Sequence, residues 1–331
     1  MKRGVQKQGT ENAIGAMMQI LQRLQCFILR HKNGLILALL PPLLLGAILA
    51  TIAKVNGYAA SPTIIMAVLL YSLLSFFALA VGAANHLLVT SQSWNIVGCG
   101  YSTVPQTLLV LAIVGLVCAI QSALMVSLFM LAAKLPARGV FLAPFFEIWL
   151  TTFVAIYAAS VLGIFIVTIA NSKIVALAVG AVVFLAQALF TGVPFPVKKP
   201  LLSAISYASI SRWSLESYAA TADFIKIATD EGLKKIKGSF QEGYEAIRPL
   251  DKFFGGAIEG LKDSILNNGQ AQSLASDAIE KRAKEEFAKR GFSLGPPKHQ
   301  IAMAWAMQTI FAFCFSVSAF GALAAKKGDA G

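Results

Sequence analysis

The sequence predicts an all-α integral membrane protein. Its predicted parts are six transmembrane helices, an N-terminal amphipathic interfacial helix, and a helical extracytoplasmic insertion between spans five and six. Three observations carry this reading. Of 331 residues, 57% are hydrophobic and 13% charged, about half the charged share of an average soluble domain. Mean hydropathy is +0.70. The charge is also segregated: residues 194–299 hold 16 of the 28 Lys and Arg and 13 of the 16 Asp and Glu, so a polar module interrupts an apolar chain.

Six apolar runs are long enough to cross about 30 Å of hydrocarbon, which takes roughly 20 helical residues. They lie near 34–53, 62–84, 106–132, 142–170, 174–193 and 300–324. Pro41-Pro42 removes two backbone donors from the first and predicts a kink there. The fifth ends in Thr191-Gly192-Val193-Pro194-Phe195-Pro196, where Gly and Pro stop a helix. A re-entrant or interfacial segment, Pro200 to Tyr218, follows it.

Ahead of the first span, Ile14, Met17, Met18, Leu21, Leu24 and Ile28 recur at helical spacing, with Gln19, Gln22, Arg23 and Arg30 on other faces. A helix over 13–30 with this pattern lies along a membrane surface. It has no small-residue cleavage site, so the mature chain is expected to begin near Met1. The domains expected are residues 1–32, a cytoplasmic N-terminus; 33–196, spans one to five; 197–298, the polar helical insertion; and 299–331, span six with a short tail.

Basic residues in the short segments set the orientation. Nine lie on one side (Lys2, Arg3, Lys7, Arg23, Arg30, Lys32, Lys173, Lys326, Lys327) and three on the other (Lys54, Lys134, Arg138). Both termini are therefore expected in the cytoplasm and the insertion outside. Within it, Leu233 to Gly291 alternates helical patterns with Gly breaks. Leu274, Ala278, Lys281, Arg282, Glu285, Glu286 and Lys289 fit an exposed helix with charge pairs three or four residues apart. Phe253-Phe254-Gly255-Gly256 reads as a turn with buried aromatics.

The net charge of +12 does not imply nucleic acid, because acids are interleaved with the bases of the insertion. No phosphate-binding Gly-rich loop, Gly-x-Gly-x-x-Gly or His-Glu-x-x-His is present. No paired carboxylates or nucleophile and base at catalytic spacing appear, so no catalytic residue is assigned. His31, His86 and His299 lie near predicted span ends and read as packing rather than metal ligands, and Cys26, Cys99, Cys118 and Cys314 are scattered singly; no metal site is expected.

Glu147 is the sole acid between Glu11 and Glu216. An intramembrane acid invites a relay hypothesis. Its place one turn into the fourth span favours an anchoring role near a helix N-terminus.

The order of these parts, an amphipathic cytoplasmic helix, five spans, an external insertion and a sixth span, resembles the permease half of type-2 ABC exporters, ABCG-like transporters among them. The stretch Leu185-Ala-Gln-Ala-Leu-Phe-Thr-Gly-Val-Pro-Phe-Pro196 followed by Ile205-Ser-Tyr-Ala-Ser-Ile-Ser-Arg-Trp-Ser-Leu-Glu-Ser217 is similar to that family's signature after span five. The matched residues are Gly192, Tyr207, Arg212, Trp213 and Glu216, with Ile210 or Ser211 where proline is usual. Ala119-Ile120-Gln121-Ser122 and Leu162-Gly163-Ile164 give lesser matches.

The resemblance implies a plasma-membrane permease that pairs with a second permease subunit across spans two and five. It would move a lipid, glycan or other amphiphile past Tyr71, Ser75, Phe76, Phe77, Phe184, Gln187, Phe190 and Thr191, with an outer gate near Val193 and Pro194. The chain would bind no cofactor itself, and ATP would be hydrolysed on a separate ATP-binding subunit. For each aromatic residue the alternative is plain core packing.

One departure matters. Asn85 to Gln106 contains no Lys, Arg, Asp or Glu, where the family carries a charged run that docks the ATPase. Coupling would then rest on Gln92 and Trp94 with Met17 and Leu21 of the amphipathic helix. A non-transporting subunit that anchors or scaffolds a larger membrane complex is the alternative this loop leaves open.

Overall fold

The computed structural model describes residues 32–328 apart from 59, 61, 98–103, 134, 135, 137, 192–204, 252–268 and 290–295. Every regular element among them is a helix: α1 (Lys32–Val55), α2 (Ile64–Val97), α3 (Val104–Ala132), α4 (Pro144–Ile169), α5 (Lys173–Leu189), α6 (Ile210–Thr221), α7 (Phe224–Asp251), α8 (Gly269–Lys289) and α9 (Pro297–Gly328).

Five of these helices are long and apolar enough to cross a membrane: Ile36–Val55, Ile64–Leu88, Val110–Ala132, Pro144–Ile169 and Pro297–Ala322. The chain is a multi-pass helical membrane protein on this ground. The fifth predicted span, 174–193, appears as α5, a helix of 17 residues that stops at Leu189. At 1.5 Å per residue it is about 25 Å long, short of a 30 Å hydrocarbon layer.

Sequence explains where the helices begin and end. Pro144 and Pro297 open α4 and α9, where a missing N–H costs nothing. Ser172 caps α5, its hydroxyl accepting from the Val175 N–H at 3.2 Å. After α1 the Gly57 N–H donates to the Lys54 carbonyl and the Tyr58 N–H to that of Ala53, the paired bonds of a Schellman stop. Gly57 takes φ +61°, which a side chain would resist.

The core is built around α4. It packs against α2, α3, α5, α6 and α9 and buries fifteen of its residues. Close approach needs small side chains where lipid gives no hydrophobic drive between helices. Ala78 of α2 and Ala155, Ala158 and Ala159 of α4 share one core cluster, and Gly82 of α2 faces Ala159. A Cβ at Gly82 would collide with the Cβ of Ala159. On the other flank, α1 lies on α3, and a Cβ at Gly46 would sit 3.1 Å from the backbone of Met125.

The polar helices α7 and α8 form a hairpin. Gly232 faces Ile279, whose methyls lie 3.0 Å from where a Cβ would be, and Phe224 meets Phe287 at 6.1 Å between ring centroids. Phe224 and Glu231 tie the hairpin to the bundle. Phe224 packs 5.7 Å from Tyr71, and Glu231 Oε2 accepts the N–H of Ile64 at 2.8 Å. Glu231 thereby satisfies an orphan donor at the start of α2, alongside Thr63, whose hydroxyl accepts from Met66. The opposite oxygen pairs with Lys235 at 2.7 Å.

Two expectations follow. Gly82→Ala forces α2 away from α4, and overpacking of this kind costs about 1–3 kcal/mol; thermal unfolding in detergent reads it, and Ala78→Gly at the same face is the milder control. The second is acid-dependent. The Lys235 ammonium, then the Ile64 N–H, hold the Glu231 carboxyl below its ordinary 4.5. Its contribution is therefore complete above that value and lost as pH falls through the lower folded one. Protection of the Ile64 amide, taken relative to the intrinsic exchange rate at each pH, should fall below pH 4.5 in the native chain, and Glu231→Gln should remove that acid step.

Candidate functional site

Helix α6 is out of character with its surroundings. Its sequence, ISRWSLESYAAT, carries Ser, Arg, Glu, Tyr and Thr, yet eleven of its twelve residues are buried, against α2, α4, α5 and α9. Burying unpaired polar groups in an apolar bundle costs several kcal/mol each. The helix can sit there only because neighbouring elements supply partners.

Its N-terminus is met by the C-terminus of α5. Gln187 Oε1 accepts the Ile210 N–H at 2.7 Å, and its Nε2 donates to the Ala208 carbonyl at 3.1 Å. In return the hydroxyls of Ser209 and Ser211 donate to the Gln187 carbonyl at 2.8 and 2.6 Å. That carbonyl is in the last turn of α5, where no helical N–H is left to serve it. Oppositely signed helix ends face each other here.

Along its length α6 is bonded to three more helices. Ser75 of α2 donates to the Ser211 carbonyl at 2.6 Å and lies 2.6 Å from the Ser214 hydroxyl. On α4, the hydroxyls of Thr151 and Ser217 are 2.8 Å apart, and Thr152 meets the Tyr218 hydroxyl at 2.7 Å. Because Thr152 donates to the Ile148 carbonyl, Tyr218 is the donor in that pair. From α9, Trp305 Nε1 donates to Thr151 Oγ1 at 2.8 Å and Gln308 Nε2 to the Ile210 carbonyl at 3.4 Å. Gln308 Oε1 and Thr221 Oγ1 are buried without a partner.

The charges of α6 are buried together. Arg212 Nε lies 3.2 Å from Glu216 Oε1, one helical turn on, with side chains 4% and 3% exposed. Arg212 Nη1 also donates to Ser206 Oγ. The guanidinium stands 4.1 Å above the Tyr207 ring, and the Trp213 Nε1–H donates to the Tyr207 carbonyl at 2.7 Å. Four of the five residues singled out after span five, Tyr207, Arg212, Trp213 and Glu216, thus form one cluster. Gly192, the fifth, lies outside the described residues, as do Val193, Pro194, Met17 and Leu21.

The other candidate residues divide. Tyr71 is buried among Phe129, Tyr218 and Phe224 at 5.7–5.8 Å, and Ser75 and Gln187 are bonded to α6 as above. Phe184 is buried against the His86 ring at 5.8 Å. Phe77 and Phe190 are half-buried, and Thr191 is buried. Phe76 is 45% exposed. Gln92 and Trp94 fall in the last two turns of α2. Glu147 is fully buried; its Oε1 accepts the N–H groups of Phe141 and Leu142, the latter at 2.9 Å.

At two buried polar positions on α2, Asn85 and the His86 that the sequence reads as packing, the partners were not given by the sequence. Asn85 Nδ2 donates to Gln121 Oε1 and to the Ser160 hydroxyl, both at 2.9 Å, and its Oδ1 accepts from Gln121 Nε2. Gln121 Nε2 also donates to the Ala38 carbonyl at 2.8 Å. That carbonyl is the one Pro42, four residues on, cannot serve. His86 is wedged beside it, Nδ1 3.1 Å from the Gly163 carbonyl of α4 and Nε2 3.2 Å from that of Ala176 on α5. A Cβ at Gly163 or Gly180 would run into this ring. The available signal was a Pro-Pro kink in one apolar run and an amide in another.

Comparison of the chain with family models, curated proteins and solved structures gives no match. Among the described residues no group of His, Cys, Asp and Glu could hold a metal ion.

The cluster predicts its own mutational pattern. Arg212→Ala leaves Glu216 buried without its cation, and breaking a buried pair in this way costs about 3–5 kcal/mol. The double variant Arg212→Leu with Glu216→Leu should recover part of that loss in detergent unfolding. Additive losses would mean that the two side chains act separately.

Proposed function

We propose that this chain is the permease subunit of an ABC-type exporter, moving a lipid, glycan or other amphiphile outward while a separate subunit hydrolyses ATP. The observation that carries the reading is α6. Three of the residues on which the resemblance rests, Arg212, Trp213 and Glu216, lie on this one buried polar helix, with Tyr207 just ahead of it; the helix follows a short apolar helix in the chain and precedes a polar hairpin. In this reading α5 also crosses the membrane, as the fifth of six spans, aided by local thinning of the bilayer. Both termini are cytoplasmic in the plasma membrane, and α7 and α8 are outside.

A second permease subunit would sit against α2 and α5. What supports this is that α5 buries only Ala176, Gly180 and Phe184, leaving Ile174, Val182 and Leu185 exposed at 79%, 68% and 61%. The exposed ring of Phe76 would belong to the path between the halves. The uncharged segment 85–106 favours a second reading, a permease-derived subunit that anchors a larger complex.

Association with an ATPase decides between them. If the end of α2 is a coupling surface, the chain copurifies with an ATP-binding subunit, and Trp94→Ala weakens that association by about 2 kcal/mol or more, as hot-spot aromatics do. The association should depend weakly on salt, since no charge in this segment is available to be screened. An intact complex with full activity after Trp94→Ala moves the anchoring reading ahead.

A further inference from the structure

The residues between α3 and α4 do more than connect two helices. Phe141 and Leu142 are each 48% exposed, and Phe146 at the start of α4 is 53% exposed. Nothing charged lies between Gly139 and Phe146. Such a run above a membrane would be turned inward. Here the polar group is inside and the apolar groups are outside: the Glu147 carboxylate is fully buried and takes the N–H groups of Phe141 and Leu142.

The depth of the loop explains the inversion. Phe141 packs at 6.1 Å between ring centroids against Trp305, the ninth residue of α9 and part of its apolar stretch Pro297–Ala322. Eight residues of rise place that contact about 12 Å along α9. Glu147 itself lies within the apolar stretch of α4. Non-helical backbone at such depth survives only where its N–H groups find partners inside the protein, and the carboxylate provides two. Gly139 allows the fold: a Cβ there would strike the Leu142 carbonyl and come within 3.0 Å of Glu147 Cδ. Arg138, at the outer edge of the loop, is exposed.

We propose that residues 138–146 form a re-entrant lip, organised by Glu147, that inserts Phe141, Leu142 and Phe146 among the acyl chains of one leaflet while Arg138 meets lipid phosphate. Lipid is the occupant for two reasons. The exposed side chains are continuous in sequence and depth with the apolar spans. The bordering cation suits anionic headgroups, where arginine reaches up from apolar surroundings. The inference rests on the membrane-spanning helices and does not depend on the permease reading.

Nitroxide accessibility in phosphatidylcholine and phosphatidylglycerol liposomes tests it. Labels at Leu142→Cys, Phe146→Cys and Arg138→Cys, in the full chain lacking its native cysteines, are compared for collision with oxygen and with a water-soluble nickel chelate. Oxygen should dominate at 142 and 146 and the nickel chelate at 138. Glu147→Gln, whose amide oxygen still accepts, should keep that order; Glu147→Ala should admit nickel at 142. Nickel access at 142 and 146 in the native background overturns the proposal, as does protection from both reagents, which means that protein, such as a second copy, covers the lip. An unchanged profile in Glu147→Ala removes the role given to Glu147.

Discussion

A polar helix inside an apolar bundle fixes much of what surrounds it. Once α6 is buried, each serine, threonine and charged group on it needs a partner from another element, and hydrogen bonds hold such partners to a few tenths of an ångström. The C-terminus of α5 must arrive at Gln187, α2 must present Ser75, α4 must present Thr151 and Thr152, and α9 must present Trp305 and Gln308. Apolar packing alone would let these helices slide or rotate with little penalty, since their outer faces are uniformly greasy. The polar contacts pick out one register. Small residues such as Gly82 and Gly46 then bring the backbones close enough for those bonds to form.

The same logic governs both ends of the bundle. At one end, Pro42 leaves the Ala38 carbonyl of α1 without its helical donor, and Gln121 answers it while holding Asn85. At the other, Glu147 gathers the N–H groups of a loop and Glu231 gathers that of Ile64. In each case a side chain completes a backbone that its own helix or loop leaves open, Gln121 and Glu231 from distant parts of the sequence and Glu147 from the helix that the loop leads into. Buried networks of this kind are strong when complete and costly when interrupted.

Much of the helical framework was legible because it depends on composition. Apolar runs at 34–53, 62–84, 106–132, 142–170 and 300–324 mark the five long helices to within a few residues in the apolar parts. The extension of α2 to Val97 was not legible, since Asn85 to Val97 is polar and uncharged and resembles a loop. The fifth run was expected to continue past Leu189, where α5 ends, because hydropathy does not register that Gln187 turns its amide and carbonyl to another helix. The segment to Tyr218 was recognisable as unusual, whereas its burial depends on Ser75, Thr151 and Thr152, each unremarkable in its own span. Tyr207, Arg212, Trp213 and Glu216 were singled out together, but spacing could not say that arginine would lie over one ring and pair with the glutamate a turn away.

His86 has two ring nitrogens and two carbonyl neighbours, Gly163 on α4 and Ala176 on α5. A neutral imidazole has one N–H to give. Its tautomer therefore decides which helix α2 holds by hydrogen bond and which it meets lone pair to lone pair. A proton that moves from one side of this ring to the other changes the allegiance of α2 between the central helix and the outermost one, without any side chain having to leave its place.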